Sequence, residues 1–407
     1  MKILVINAGS SSIKYQLMDL EDAHNYTVLA SGLVEKIGES TGRVIHRKNM
    51  SAVEEKVVEE APIPDHRKGM ARVVALLTDP VKGVISDARE IEGVGHRVLS
   101  CGEVYSDTVR VTPEVKASIR DFFPLGPLHN PPNLVGIEVA EELFPHAPQV
   151  AVFDTAFHQT MPRKAYLYAV PYEWYKDYRL RRYGFHGTSH KYIAQETANY
   201  LGKPLDQTNL ISLHLGNGCS MSAIRNGKCV DTSMGVTPLE GLVMGTRSGD
   251  IDPAALQYIM GQTGMDIQQM TDALNKKSGL KGLCGGNDMR EVVEAAANGS
   301  NRAQTALDIF AYRIQKYIGA YMAVLPRVDA LTFTAGIGEN SAPAREHICR
   351  GLEHLGIRLD LEKNNSPSRQ PREIQQDGAP LKLLILPTNE ELQIALETKD
   401  IILSTPT

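Results

Sequence analysis

The chain has 407 residues, a length that favours two domains or one large bilobal unit. Apolar residues make up 42% and charged residues 22%, the balance of a globular protein with a real core. A net charge of −5 and a pI near 6.2 argue against nucleic acid or an anionic membrane as the main partner. Five scattered cysteines without a CxxC pair fit reduced thiols rather than a disulfide frame or a zinc site. Met1–Ala8 is too short and too strand-like for a signal peptide, and no apolar run approaches ~18 residues, so the expectation is a cytoplasmic protein.

Ile3–Ile6 is a short apolar strand that ends in Asn7-Ala8-Gly9-Ser10-Ser11-Ser12, and Ile13–Met18 resumes the strand pattern. Such a small polar turn is either a tight serine-rich hairpin or a phosphate cradle. Val53–Ala61 reads as an acidic surface segment and Met70–Leu77 has helical spacing. Gly93–Leu99 is a strand carrying His96-Arg97, and an arginine at a strand end is usually a surface ion-pair residue. Next comes a proline-locked loop, Pro124–Asn133, followed by a helix with Leu134, Ile137, Ala140 and Phe144 on one face. Asn133 can cap that helix, and His129 is either a satisfied buried histidine or a site residue. Gln149–Phe153 is a strand ending at Asp154, which is either a helix N-cap or a carboxylate facing a crevice, orienting an arginine or a metal.

The loop Tyr183–His190 holds two histidines, His186 and His190, without the further ligands a zinc site needs. Leu210–Leu215 runs into Gly216-Asn217-Gly218, Ser220–Ile224 follows as a second strand, and Asn226-Gly227 has the residue types of a type I′ turn. This second phosphate-type hairpin lies about two hundred residues after the first and suggests a duplicated architecture. Behind it, Gly245-Thr246-Arg247-Ser248-Gly249-Asp250 sets one arginine among small residues, either a structural arginine or one suited to charge on a transferring phosphoryl group. Ala254–Met260 is helical, Ser278–Arg290 is a glycine-rich loop ending in Asp288-Met289-Arg290, and a helix with Ala303, Leu307, Phe310, Ile314, Tyr317 and Tyr321 on its core face follows. Ala330–Thr334 is a strand entering the loop Ala335–Asn340, and Glu362–Ala379 is a polar surface loop without chemistry. Leu381–Leu386 is the last strand. The final helix begins in Pro387-Thr388-Asn389-Glu390-Glu391, where the two glutamates either complement the helix dipole or supply a magnesium carboxylate.

Together, Asn7–Ser12, LHNPPN from Leu128, VFDTAFHQTMP from Val152, YGFHGTSH from Tyr183, HLGNGCS from His214, the run Asp231–Pro253, FTAGIGENS from Phe333 and PTNEE from Pro387 resemble the acetokinase family over essentially the whole chain. The resemblance implies the duplicated α/β fold of the actin, heat-shock-70 and sugar-kinase superfamily: two lobes, each a mixed five-stranded sheet flanked by helices, closing around ATP. Residues 1–152 with 387–407 would form the N-terminal lobe, and 153–386 the C-terminal lobe with the nucleotide-binding and dimer-forming elements. It further implies a homodimer and reversible transfer of the ATP γ-phosphoryl to acetate, giving acetyl phosphate and ADP, with Mg²⁺ as cofactor and Mn²⁺ able to substitute. Arg97 and Arg247 would hold the acyl carboxylate and the γ-phosphoryl, His186 would hydrogen-bond that phosphoryl, and His129 would line the same site. Asp154 would orient Arg247 or the metal's waters, while Asn7 and Glu390 would serve the metal. Ser10, Ser12, Lys14, His214, Gly216, Asn217, Gly218, Asp288, Met289, Arg290, Gly336, Ile337, Gly338 and Asn340 would contact the nucleotide. Leu99, Leu128, Phe185 and Pro238 would form the pocket for the acyl methyl.

The chemistry fits independently of the resemblance. A carboxylic acid with a pKa near ~4–5 is already ionised at neutral pH and needs no general base. It needs relief from anion–anion repulsion, which arginines, a histidine and a divalent cation give. The expected step is therefore direct in-line transfer without a phosphoenzyme. Three rivals share features with this pattern: a propionate kinase of the same family, a sugar or glycerol kinase using Asp154 as base, and an actin-like or chaperone-like ATPase. The chain departs from the family pattern at Leu99-Ser100-Cys101, Gly126 and Leu283–Asn287, which bears on pocket shape and acyl-chain preference.

Overall fold

A computed structural model describes residues 1–49, 54–127 and 129–404. The chain separates into two compact units, Met1–Ala156 with Asn389–Thr407, and Phe157–Thr388. Among the described residues no helix is long and apolar enough to cross a membrane.

The first unit is built on strands β1 (Lys2–Ala8), β2 (Ser12–Leu20), β3 (Tyr26–Glu35), β4 (Gly42–Asn49), β5 (Glu54–Ala61), β6 (Gly93–Val98), β7 (Val109–Arg110) and β8 (Gln149–Phe153). They lie in the order β5-β4-β3-β2-β1-β6-β8-β7. The β1/β2 pair is antiparallel and closes at Ala8↔Ile13, whereas β1/β6 and β6/β8 are parallel. β1 and β8 are almost continuously apolar because helices cover the sheet on both faces. On one face, helices His66–Leu77 and Asn130–Leu143 bury Met70, Val73, Leu76, Val139 and Ala140 against Leu4, Ile6 and Ile13. On the other, Gly93 and Gly95 admit the helix Glu390–Ser404, since a Cβ at Gly95 would stand 2.3 Å from Thr398 Oγ1.

The second unit holds β9 (Leu210–Leu215), β10 (Cys219–Arg225), β11 (Lys228–Thr232), β12 (Ala330–Thr334), β13 (Arg372–Glu373) and β14 (Lys382–Ile385), in the order β11-β10-β9-β12-β14-β13. β9 pairs antiparallel with β10 and parallel with β12, and β12 is parallel to β14. Asn226 and Gly227 both have positive φ (52° and 73°), as a type I′ turn joining β10 and β11 demands. The sets β3-β2-β1-β6-β8 and β11-β10-β9-β12-β14 thus repeat one topology: a three-strand antiparallel meander, then two parallel strands. β4, β5, β7 and β13 extend the two five-strand cores to eight and six strands.

Local departures from the sequence reading have physical reasons. The acidic surface segment ending at Ala61 is in addition a strand: Glu54–Ala61 forms an edge, whose charges guard an open ladder. Val53 lies outside the described residues. Helix Gly279–Cys284 forms inside the glycine-rich 278–290 segment, with Gly279 and Gly285 at its ends in positive φ. Ala335–Asn340 is a short helix, and Glu362–Ala379 contains the end of a helix (Leu361–Asn365) and β13. Asn133 is not a cap. It sits one turn inside its helix, which begins at Asn130 behind His129.

Candidate active site

In the first unit the candidate residues converge on the end of the parallel strands. Arg97, the penultimate residue of β6, donates from Nη2 to Asp154 Oδ2 at 2.9 Å, immediately after β8. Asp154 is fully buried, and its charge holds the guanidinium firmly protonated. The partner this gives Asp154 is Arg97, where the resemblance had implied that it orients Arg247 or the metal's waters. Arg97 Nε lies 4.0 Å from Glu390 Oε2 in the first turn of the C-terminal helix, which Asn389 caps through its Oδ1 and the Leu392 N–H. Burial drives the Glu390 carboxyl up to about 7; Arg97 pulls against this, and Asp154 and Glu391 add to it.

Asn7, Lys14, Arg97, Glu390 and Glu391 line one cavity of about 240 Å³. Among the described residues no three His, Cys, Asp or Glu side chains form a ready-made metal cage. A strongly desolvated carboxyl group and an amide oxygen lining the same cavity are instead donors suited to a hard divalent cation that brings phosphate and water ligands with it. Ser10 and Ser12 sit on the β1/β2 turn, where Gly9 N–H donates to Ser12 O at 2.8 Å.

Two asparagines of the proline-locked segment hold this region together. Asn133 accepts from Leu99 N–H (3.0 Å) and donates to Ala8 O (2.7 Å), tying the end of β6 to the end of β1. Asn130 accepts from Ser100 N–H and donates back to Ser100 O. The departing Leu99-Ser100 pair is therefore fixed through its backbone, independently of its side chains. Leu99 is buried, with Cδ2 2.8 Å from where a Cβ on Gly126 would stand. His129 is half-buried at the N-cap position of the helix, and Leu128 lies outside the described residues.

In the second unit, His186 occupies the N-cap of helix Gly187–Leu201 in left-handed backbone conformation (φ 57°), which turns its ring toward the β9/β10 hairpin. A Cβ built on Gly218 would lie 3.4 Å from His186 Nε2 and 3.5 Å from Arg247 Nη1. Imidazole and guanidinium therefore converge above the second glycine of the hairpin. Arg247 donates to Pro238 O at 3.3 Å and forms no ion pair with a carboxylate among the described residues. Burial lowers its pKa, which marks a desolvated cation awaiting an anion. Its loop is anchored by Asp250, which accepts from Gly241 N–H and from Tyr317 Oη (2.8 and 2.9 Å) and pairs with Arg313. Tyr317 thus does more than fill the core stripe. Phe185 is buried, with its carbonyl bonded to His158 Nε2.

His214 stacks on His186 with ring centroids 4.1 Å apart. Its Nδ1 bonds Ser189 Oγ at 2.8 Å.

A larger cavity of about 1120 Å³ is lined by Gly216, Asn217, Asp288, Met289, Arg290, Gly336, Ile337 and Asn340. Asn217 tucks against Gly245, where a Cβ would be only 2.0 Å from its Oδ1. Asp288 caps helix Met289–Ala297 and pairs with Arg290. Gly338 faces the strands instead, its missing side chain leaving room beside Phe333 and Leu213, and its carbonyl accepts from the buried Arg345. Residues missed in the sequence also line this cavity: Ser368, Arg369 and Arg372, from the segment read as lacking chemistry. Two arginines in a proline-bearing polar stretch were the available signal.

The model of the acetokinase family matches residues 2–396. The chain belongs to the acetokinase family. An acetate kinase of Nitratidesulfovibrio vulgaris is 57% identical over 403 residues, covering 99% of this chain and 100% of the relative. That of Oleidesulfovibrio alaskensis is 56% identical over 396 residues, covering 97% and 98%. Among solved structures, the acetate kinase of Porphyromonas gingivalis matches with a TM-score of 0.93 at 44% identity, covering 98% of this chain and 99% of that one. A propionate kinase from Francisella tularensis matches with a TM-score of 0.90 at 41% identity, with the same coverage. The acetokinase fold, with its duplicated actin- and sugar-kinase-like topology, is thereby established for this chain.

Proposed function

We propose that this chain is a phosphotransferase that moves the γ-phosphoryl of ATP to acetate, reversibly, giving acetyl phosphate and ADP. The observation that carries the reading is the convergence above Gly218 of His186 Nε2 and the Arg247 guanidinium, which pairs with no carboxylate among the described residues. Two donors aimed at one point beside a phosphate-type hairpin suit a phosphoryl group whose charge must be held while a second anion approaches.

The proposed division of roles follows the two units. In the first, Arg97, locked by Asp154, binds the acyl carboxylate, and Asn133 fixes the Leu99 wall of the methyl pocket. Asn7, Ser10, Ser12 and Lys14 present the first hairpin to phosphate, with His129 nearby, and Asn7 and Glu390 hold Mg²⁺. Bound there, Mg²⁺ (or Mn²⁺) would neutralise phosphate oxygens. In the second unit, Arg247 and His186 bind the transferring phosphoryl and Pro238 holds Arg247 in place through its carbonyl. Pro238 and Phe185 are the residues of this unit assigned to the acyl methyl. Asn217 and its flanking glycines, His214, Asp288–Arg290 and Gly336–Asn340 take ADP. The acceptor oxygen is already anionic, so no residue is assigned as a general base. The protein works in the cytoplasm, with its five thiols free, and as a homodimer.

The test is acyl-hydroxamate formation from Mg-ATP, hydroxylamine and a series of acids from formate to butyrate. Product that peaks with acetate supports the reading. A peak at propionate keeps the mechanism and changes the acceptor, a change that one methylene, worth ~1–3 kcal/mol, can make. Nucleotide binding with no hydroxamate from any acid would overturn it in favour of the ATPase reading.

A further inference from the structure

His190 takes no part in the transfer described above, yet it is fully buried and both ring nitrogens are engaged. It lies one helical turn beyond His186. Its Nδ1 is 2.9 Å from Ser212 Oγ on β9, and its Nε2 is 2.8 Å from Ser220 Oγ on β10. The same Ser220 hydroxyl is 2.9 Å from His186 Nδ1. A chain of four groups results: Ser212, His190, Ser220, His186.

Proton counting restricts this chain severely. The Ser220 hydroxyl has one proton and two imidazole nitrogens to serve, so it donates to one ring and accepts N–H from the other. Burial, with His158 and His214 close by, keeps His190 neutral, so that ring carries one N–H and presents one bare nitrogen. With both rings neutral and these bonds alone considered, two arrangements satisfy every group. In one, Ser212 O–H donates to His190 Nδ1, His190 Nε2–H donates to Ser220, and Ser220 O–H donates to His186 Nδ1. In the other, all three bonds reverse, and His186 places a proton on Nδ1. The nitrogen of His186 directed at Gly218 and Arg247 is Nε2. A neutral ring can donate there only in the first arrangement.

We propose that Ser220 and His190 are positioning residues that fix His186 as the neutral Nε2–H tautomer, so that it serves the transferring phosphoryl as a hydrogen-bond donor. The proposal rests on the phosphotransfer reading for its kinetic consequence but not for its tautomer. In this arrangement His186 transfers no proton. It offers an N–H already aimed, at the end of a relay with no rotational freedom left.

Two readouts test it. Ring ¹⁵N–¹H correlation spectra of the wild-type chain are expected to show His186 protonated at Nε2 and bare at Nδ1, with His190 likewise Nε2–H. In Ser220→Ala the His186 signal is expected to move toward a tautomer mixture. kcat should fall roughly tenfold or more while KM for ATP stays within about twofold, and Ser220→Thr, which keeps the hydroxyl, should recover most of the loss. His190→Gln, which keeps a donor toward Ser220, should retain more activity than His190→Leu. A wild-type spectrum with the His186 proton on Nδ1 would overturn the proposal, whatever the activity. So would an unchanged His186 tautomer and kcat in a folded Ser220→Ala. If the wild-type chain forms no acyl phosphate, the phosphotransfer reading fails, and the spectra still decide the tautomer.

Discussion

A methyl group at position 218 would stand 3.3 Å from His186 Cε1 and 3.5 Å from Arg247 Nη1, in the space this account gives to the phosphoryl group. The backbone at Gly218 does not have positive φ, so alanine is conformationally tolerable there. Gly218→Ala is therefore expected to fold with a Tm close to wild type and to lose about 10–100-fold in kcat, by displacing two donors at once. Loss of stability without loss of activity would show that the glycine serves packing alone. Asp154 illustrates what a sequence withholds at this scale. Its position at a strand end was legible, but the choice between cap, metal carboxylate and arginine partner depends on Arg97, 57 residues away in sequence. His186, Arg247 and Asn217 stood out because glycines surround them. His190 stood out only as the second histidine of a rejected zinc spacing and Ser220 not at all, because a serine in a strand and a histidine in a helix carry no local mark of a hydrogen bond formed by packing.

At the scale of elements, the apolar strands and the two glycine hairpins could be read directly, since period-two or fully apolar runs ending in small polar residues have few alternatives. The strands β3, β4 and β5 could not. Much of their surface is half-buried or exposed, so residue polarity does not alternate cleanly along them. Helix Pro253–Thr263 poses the opposite case. It is apolar enough for a core, PAALQYIMGQT, yet none of its residues is buried, and Tyr258 and Ile267, the latter opening the next helix, are 66% and 64% exposed. The homodimer proposed above would cover this face with a second copy of the chain. Sedimentation equilibrium is expected to give a dimer at micromolar concentration, and Tyr258→Glu with Ile267→Glu to give a folded monomer. A wild-type monomer, or a double variant that remains dimeric, would remove this face from the assembly.

At the scale of the molecule, the repeated strand order is the strongest physical regularity. Each unit offers the turn of its first hairpin and the ends of its parallel strands as chemistry-bearing ground, and the candidate residues fall there in both. In the first unit Arg97 pairs with a buried carboxylate, while in the second Arg247 has none among the described residues. That asymmetry fits one cation tuned to orient an acceptor and another kept for phosphoryl charge. It also leaves no side chain assigned as a nucleophile that would be phosphorylated on the way. The most direct measurement is the stereochemical course at phosphorus, with acetate as acceptor and ATP made chiral at the γ-phosphoryl by oxygen isotopes. A single in-line displacement predicts inversion of configuration in the acetyl phosphate formed. Retention would mean two displacements through a phosphorylated residue and would contradict the direct transfer proposed here.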